Sequence, residues 1–142
     1  MTTSLPDVNI LLALVAEGHT HHDRARKWFR AQSNDSVAIC RVTQMGLLRL
    51  LTNPKVLPSG VCSIDRATEI SNEIRADRRV FFDSEPPEIE TVWMAMMQHP
   101  AAKSSSWTDA YLAAFAHQRQ HVMVTFDRDF RRWSDITVSV IL

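Results

Sequence analysis

Ser36-Val37-Ala38-Ile39-Cys40-Arg41 holds an unbroken apolar run of strand length between polar ends. A strand with one face in water alternates apolar and polar side chains. A strand that is apolar at every position is covered on both faces, as in a parallel sheet flanked by helices. On its C-terminal side, Val42 to Leu51 reads as a helix that stops before Pro54. On its N-terminal side, a strand-like start at Ser4 to Asp7 leads into a helical Val8 to Ala16, which Gly18 ends. Thr20-His21-His22-Asp23 has the spacing of a capping box, and Ala25, Trp28 and Phe29 follow as an apolar stripe. Asn53 to Ser63, with Pro54, Pro58 and Gly60, reads as a surface loop rather than a domain linker.

The same alternation continues to the C-terminus. Ser63 is placed to cap a helix through about Ala76 that turns Ile64, Ala67, Ile70 and Ile74 inward. Val80-Phe81-Phe82 makes a short strand, and Pro86 and Pro87 open a helix that carries Ile89, Val92, Trp93, Met96 and Met97 and ends near Pro100. Ser106 starts another helix, whose Ala110, Ala113, Ala114 and Ala116 permit close packing. Val122 to Thr125 and Thr137 to Ile141 supply two last strands. Strands alternating with helices imply right-handed crossovers, hence an α/β three-layer sandwich around a mostly parallel sheet.

With 142 residues, 45% of them hydrophobic and 23% charged, the chain is expected to form a single domain over 1–142. Sixteen basic residues balance sixteen acidic ones, so no global field draws the protein to nucleic acid or to an anionic membrane, and any polyanion site must be local. Cys40 and Cys62 lack the spacing of a zinc site or a disulfide framework. Ile10 to Ala16 is too short for a signal peptide and has no basic residues before it, and no stretch approaches a membrane span. The expected setting is a soluble protein in the cytoplasm.

Three aspartates, Asp7, Asp109 and Asp127, stand where apolar stretches break into a helix or turn start. Each has an ordinary explanation: Asp7 as a helix N-cap, Asp109 as the acid of a capping box with Ser106, Asp127 as the closure of a turn. In a parallel sheet, however, strand C-termini and helix N-termini share one edge, where all three can converge. Within about 4 Å, each pair of like charges would repel by roughly 4 kcal/mol at an effective dielectric near 20, so the acids would take up protons or a cation. Carboxylate oxygens suit magnesium or manganese, and phosphodiester hydrolysis is the chemistry that fits. Asp129 is a candidate outer ligand, its alternative being a solvated partner for Arg128 or Arg131.

Four segments carry a family resemblance: Leu5-Pro6-Asp7-Val8-Asn9-Ile10-Leu11-Leu12, the run Arg41 to Pro54, Trp107-Thr108-Asp109-Ala110-Tyr111-Leu112, and Val124-Thr125-Phe126-Asp127-Arg128-Asp129-Phe130. In that order they resemble the PIN-domain ribonucleases, in particular the VapC toxins of toxin–antitoxin pairs. The resemblance implies a PIN-like fold and a Mg²⁺- or Mn²⁺-dependent endoribonuclease. It also implies a homodimer held inactive by a cognate VapB-like antitoxin. It makes Asp7, Asp109 and Asp127 the metal ligands. Where the family often has a glutamate, this chain has Gln44, which brings a carbonyl oxygen but no charge and is expected to orient water in the site.

Further candidates are less specific. Asn9 and Arg41 are candidate RNA or outer-shell contacts, Arg49 is a weaker one, and His19, His21 and His22 are candidate RNA or proton-transfer groups whose ordinary reading is a solvated loop. Trp93, Met94, Met96 and Met97 read as core or as a partner surface. Two other functions stay open: an aspartyl phosphotransfer domain, although Asn9 interrupts the Asp-x-Asp start of such phosphatases, and a catalytically weak or silent binding protein marked by Gln44.

Overall fold

The computed structural model describes residues 2–142. Five strands, β1 (Ser4–Pro6), β2 (Val37–Ile39), β3 (Val80–Phe82), β4 (Val122–Thr125) and β5 (Thr137–Val140), form one sheet in the order β3-β2-β1-β4-β5. Every pairing is parallel, so the sheet is parallel throughout rather than mostly so. The connections carry helices α1 (Val8–Val15), α2 (His22–Arg30), α3 (Arg41–Leu51), α4 (Ile64–Ala76), α5 (Ile89–Met96) and α6 (Trp107–Arg119), with a 3-10 helix over Arg128–Arg132.

β2 shows why its sequence is apolar throughout. Val37 and Ile39 pack with Leu11, Leu47 and Ile70 on one face, while Ala38 and Cys40 pack with Leu5, Phe115 and Met123 on the other. The run is thus two interleaved half-faces serving two cores. Burial of Val37 and of Ile39 is worth roughly 1.5–3 kcal/mol each. Pro6 lies in the central strand β1, where a missing N–H is usually costly. Ser4 N–H donates to Ser36 O on the β2 side and Asp7 N–H to Val124 O on the β4 side, so the alternation aims the missing donor of Pro6 at β2. The β1–β4 ladder, with Ser4, Leu5 and Pro6 opposite Val122, Met123 and Val124, stays intact.

Three local expectations are corrected. The capping box at Thr20 to Asp23 does not form: His21 is the N-cap of α2 without a side-chain bond, and the helix start is tied instead by His22 Nδ1 to Ala13 O at 2.7 Å. Pro86 and Pro87 precede their helix by a turn, because Glu88 adopts a left-handed φ of 63° before α5 begins. Ser106 is in a helical conformation with no side-chain cap, and its hydroxyl accepts from Lys103 N–H, so Ser106 and Asp109 do not make a capping box. Ser63 does cap α4, accepting from Arg66 N–H at 3.1 Å. Met96 is buried, and Trp93 and Met97 pack against the core as partly buried neighbours. Both cysteines are free. Among the described residues no helix is long and apolar enough to cross a membrane.

Gly46 sets how closely α3 approaches α1. A Cβ at this position would stand 2.9 Å from Cγ2 of Val8, the residue after Asp7. Val8 is β-branched and has few alternative rotamers in a helix. Gly46→Ala is expected to lower stability by about 1 kcal/mol, overpacking outweighing the gain in helix propensity, and to lower Tm by roughly 3 °C in a thermal melt.

Candidate active site

The chain winds from β1 through β2 to β3 on one side and then places β4 on the other side of β1. Crossovers that leave neighbouring strands in opposite directions open a crevice beyond their C-terminal ends. Asp7 directly follows β1, Asp127 lies two residues beyond β4, and Asp109 stands in the first turn of α6, at the same edge. The topology therefore puts the three aspartates on one edge of the sheet.

Thr125 couples two of them. Its hydroxyl is fully buried, donates to Asp7 Oδ2 at 3.2 Å and accepts from Asp127 N–H at 3.0 Å. Asp7 Oδ1 accepts from Val8 N–H at 2.7 Å, and Asp127 Oδ1 accepts from Asp129 N–H at 2.8 Å. The cap role of Asp7 and the turn role of Asp127 are therefore real, and each leaves carboxylate lone pairs over. Asp109 has no capping role.

Burial is the main force pushing the Asp7 carboxyl above the ordinary carboxylate range; the bonds from Val8 and Thr125 oppose it, and the charge of Asp127 adds to it. Burial likewise raises Asp109, to about 6, helped by the charges of Asp7 and Asp127 and opposed by Arg132. Arg132 is the nearby cation that sequence reasoning missed. It forms an ion pair with Asp129 at 3.4 Å and lies over the Trp133 ring, which holds it beside the acids without joining them. Among the described residues, no three His, Cys, Asp or Glu side chains converge into a group able to hold a metal ion. The acids repel one another across the crevice, an all-oxygen donor set short of positive charge, but they do not form a closed cage.

The remaining candidates are distributed around this centre. Gln44 Oε1 accepts from Arg41 Nη1 while its Nε2 donates to Ser71 Oγ at 3.5 Å, so its amide is spanned between α3 and α4. Asn9, Arg41 and Asp129 are exposed, as is Arg49. Arg49 lines, with Val8, Met45 and Thr108, a cavity of about 420 Å³ between α1, α3 and α6. His21 packs at a tilt, 4.7 Å between ring centroids, against Phe126, the residue before Asp127, and His19 stacks on the same ring at 6.4 Å, so this loop reaches Asp127 through an aromatic side chain. His22 does not join them; it is engaged with Ala13.

A family model for the PIN domain matches residues 4–135, and the chain belongs to that family. It is 37% identical to Ribonuclease VapC41 of Mycobacterium tuberculosis over 96% of this chain and 97% of the relative. With Ribonuclease VapC38 of the same organism it shares 36% identity over 87% of this chain and 84% of the other. Among solved structures, VapC20 of M. tuberculosis, described as a sarcin–ricin loop cleaving toxin, superposes with a TM-score of 0.71 at 20% identity, covering 91% of this chain and 93% of that one. The toxin–antitoxin complex VapBC2 of Rickettsia felis, bound to a promoter DNA fragment, has a TM-score of 0.70 at 10% identity and covers 99% and 100%. These two share the fold. Membership in the PIN family sets aside the aspartyl phosphotransfer reading.

An acid whose pKa is raised by folding stabilises the native state only while protonated. That contribution is fully present below the ordinary value of 3.8 and is lost as pH rises through about 6. Because Asp109 is partly exposed, ionising it costs about 1–2 kcal/mol after solvent screening. Without divalent cations, Asp109→Asn should therefore raise Tm relative to the parent at about pH 7.5 and leave it unchanged near pH 4. Melts at both values check this; equal melting at the higher pH contradicts it.

Proposed function

We propose that this protein is a divalent-metal-dependent endoribonuclease, the toxin of a type II toxin–antitoxin pair, which hydrolyses RNA phosphodiester bonds in the cytoplasm as one PIN domain. What supports the reading is the shared sheet edge of Asp7, Asp109 and Asp127, where the charges of Asp7 and Asp127 raise Asp109, on a chain that matches ribonucleases along nearly its whole length. The donor chemistry fits a hard cation, because Asp7 and Asp109, both raised in part by the charge of Asp127, gain most from a dication. Asp7, Asp109 and Asp127 would hold Mg²⁺ or Mn²⁺, which supplies polarisation of the scissile phosphate and charge neutralisation at the leaving oxygen. Thr125 fixes Asp7 against Asp127, and Arg132 limits their excess charge. Asn9 and Asp129 stand at the rim where RNA or water is held. Gln44 acts through Arg41, holding that guanidinium on the sheet edge that carries the acids. A VapB-like antitoxin is the partner that silences the toxin, and the working unit is a homodimer.

A second reading, a PIN-fold binding protein with weak or no catalysis, is favoured by two observations: Gln44 stands where a carboxylate would add charge, and the acids are not pre-closed around a cation site. One assay separates the two. Purified protein with Mn²⁺ should cut RNA, and Asp7→Asn or Asp109→Asn should lower the rate on the order of 10²–10³-fold, the scale of several kcal/mol of transition-state stabilisation. No cleavage by the parent protein under Mg²⁺ or Mn²⁺ would leave the binding protein as the correct account.

A further inference from the structure

Four arginines lie over aromatic rings: Arg79 over Phe29, Arg132 over Trp133, and both Arg41 and Arg75 over Phe82. Arg79 is paired with Asp77 and Arg132 with Asp129. Among the described residues neither Arg41 nor Arg75 forms a salt bridge, although their guanidinium carbons stand 4.6 and 4.8 Å from the centroid of one ring. The nearby acids Asp83 and Glu85 do not pair with them, although Glu85 lines a cavity together with Arg41. Asp83 binds His121 at 2.8 Å and Arg119 at 3.5 Å, and Glu85 accepts from the Tyr111 hydroxyl at 2.9 Å. Two like charges on one ring, neither in an ion pair among the described residues, leave room for an anion. Stacking on a ring orients a guanidinium without neutralising it; Arg41 spends one Nη1–H on Gln44 Oε1, and its other N–H groups and those of Arg75 are left for phosphate oxygens.

The placement suits a polymer. Phe82 ends β3, and Arg41 begins α3 just after β2, so both belong to the sheet edge that carries Asp7 beyond β1. From β1 to β3 is two strand spacings, roughly 10 Å, on the scale of one or two steps along an RNA backbone. Resting on the ribonuclease reading, we propose that Arg41 and Arg75, ordered on Phe82, form a second phosphate-binding point. It would hold single-stranded RNA one or two nucleotides from the scissile bond. The protein has no net charge, so such a local pair is how it would gain affinity for a polyanion.

The test uses the cleavage-deficient Asp7→Asn protein and a fluorescently labelled single-stranded oligoribonucleotide of mixed sequence, with affinity read by anisotropy across a salt series. Arg75 is exposed and outside the cluster of acids, so Arg75→Gln should leave the melting temperature in place. It should weaken binding several-fold and reduce the slope of log K against log salt by about 0.7, the value for one lost phosphate contact on a single strand. Arg75→Lys should restore the slope but only part of the affinity. A methylphosphonate that removes one backbone charge next to the cleavage position should mimic Arg75→Gln, and the two losses should not add. An unchanged slope and affinity in Arg75→Gln would overturn the proposal. So would loss of binding to an oligoglutamate peptide with RNA binding intact, because the pair would then serve an acidic protein partner. RNA binding that depends on Arg75 in a protein that never cuts would overturn the nuclease reading alone. Cleavage that is indifferent to Arg75 would overturn the clamp alone.

Discussion

One buried hydroxyl ties the two halves of the site together. Thr125 Oγ1 gives its proton to Asp7 and takes the N–H of Asp127, joining side chains 120 residues apart at the ends of neighbouring strands. Such a bridge exists only because β1 and β4 pair in a fixed parallel register, with Pro6 opposite Val124. A one-residue slip would turn Thr125 to the other face of the sheet. The register rests in turn on the two cores, which bury Leu5 and Met123 on one side and Val37 and Ile39 on the other. Apolar packing thus specifies a polar constellation that would be unfavourable by itself.

The crevice stores electrostatic cost. Burial and mutual repulsion raise Asp7 and Asp109, and the neighbouring cation, Arg132, is diverted to Asp129. A fold selected for stability alone would place apolar or neutral groups at such positions. Destabilised acids at a topological switch point have a rationale when a dication binds there, since binding then recovers the repulsion that folding imposed. The arginine pair proposed to hold RNA phosphate stands apart, on the ring of Phe82 at the end of β3. On the proposed reading, that separation would let a protein of zero net charge hold both a cation and a polyanion.

Much of the fold was legible in local sequence. Val37 to Cys40 announced a strand buried on both faces, and the Ser63 cap placed the start of α4. The misreadings were local choices decided by longer-range contacts. Thr20 lost the cap of α2 because His22 bonds back to Ala13, and Ser106 was drawn to Lys103. The edge positions of Asp7, Asp109 and Asp127 were legible from the element boundaries, and the bridging hydroxyl of Thr125 was not. In sequence, Thr125 is one more β-branched strand residue, and only the pairing of distant strands reveals what its hydroxyl joins. Arg132 and Arg75 were hidden for the same reason. Arginine in a helix normally reads as solvated surface, and the aromatic rings and acids that orient these two come from elsewhere in the fold or from side-chain packing.

The claim beneath all of this is that Asp7, Asp109 and Asp127 act as one cation site. Isothermal titration of Mn²⁺ near pH 6, in buffers of different ionisation enthalpy, tests it most directly. Asp109 is about half protonated there, so uptake should come with proton release that falls as pH rises toward 8, and Asp109→Asn should reduce that release while weakening binding. No heat of binding, or the same affinity and proton release in Asp109→Asn, would contradict the account.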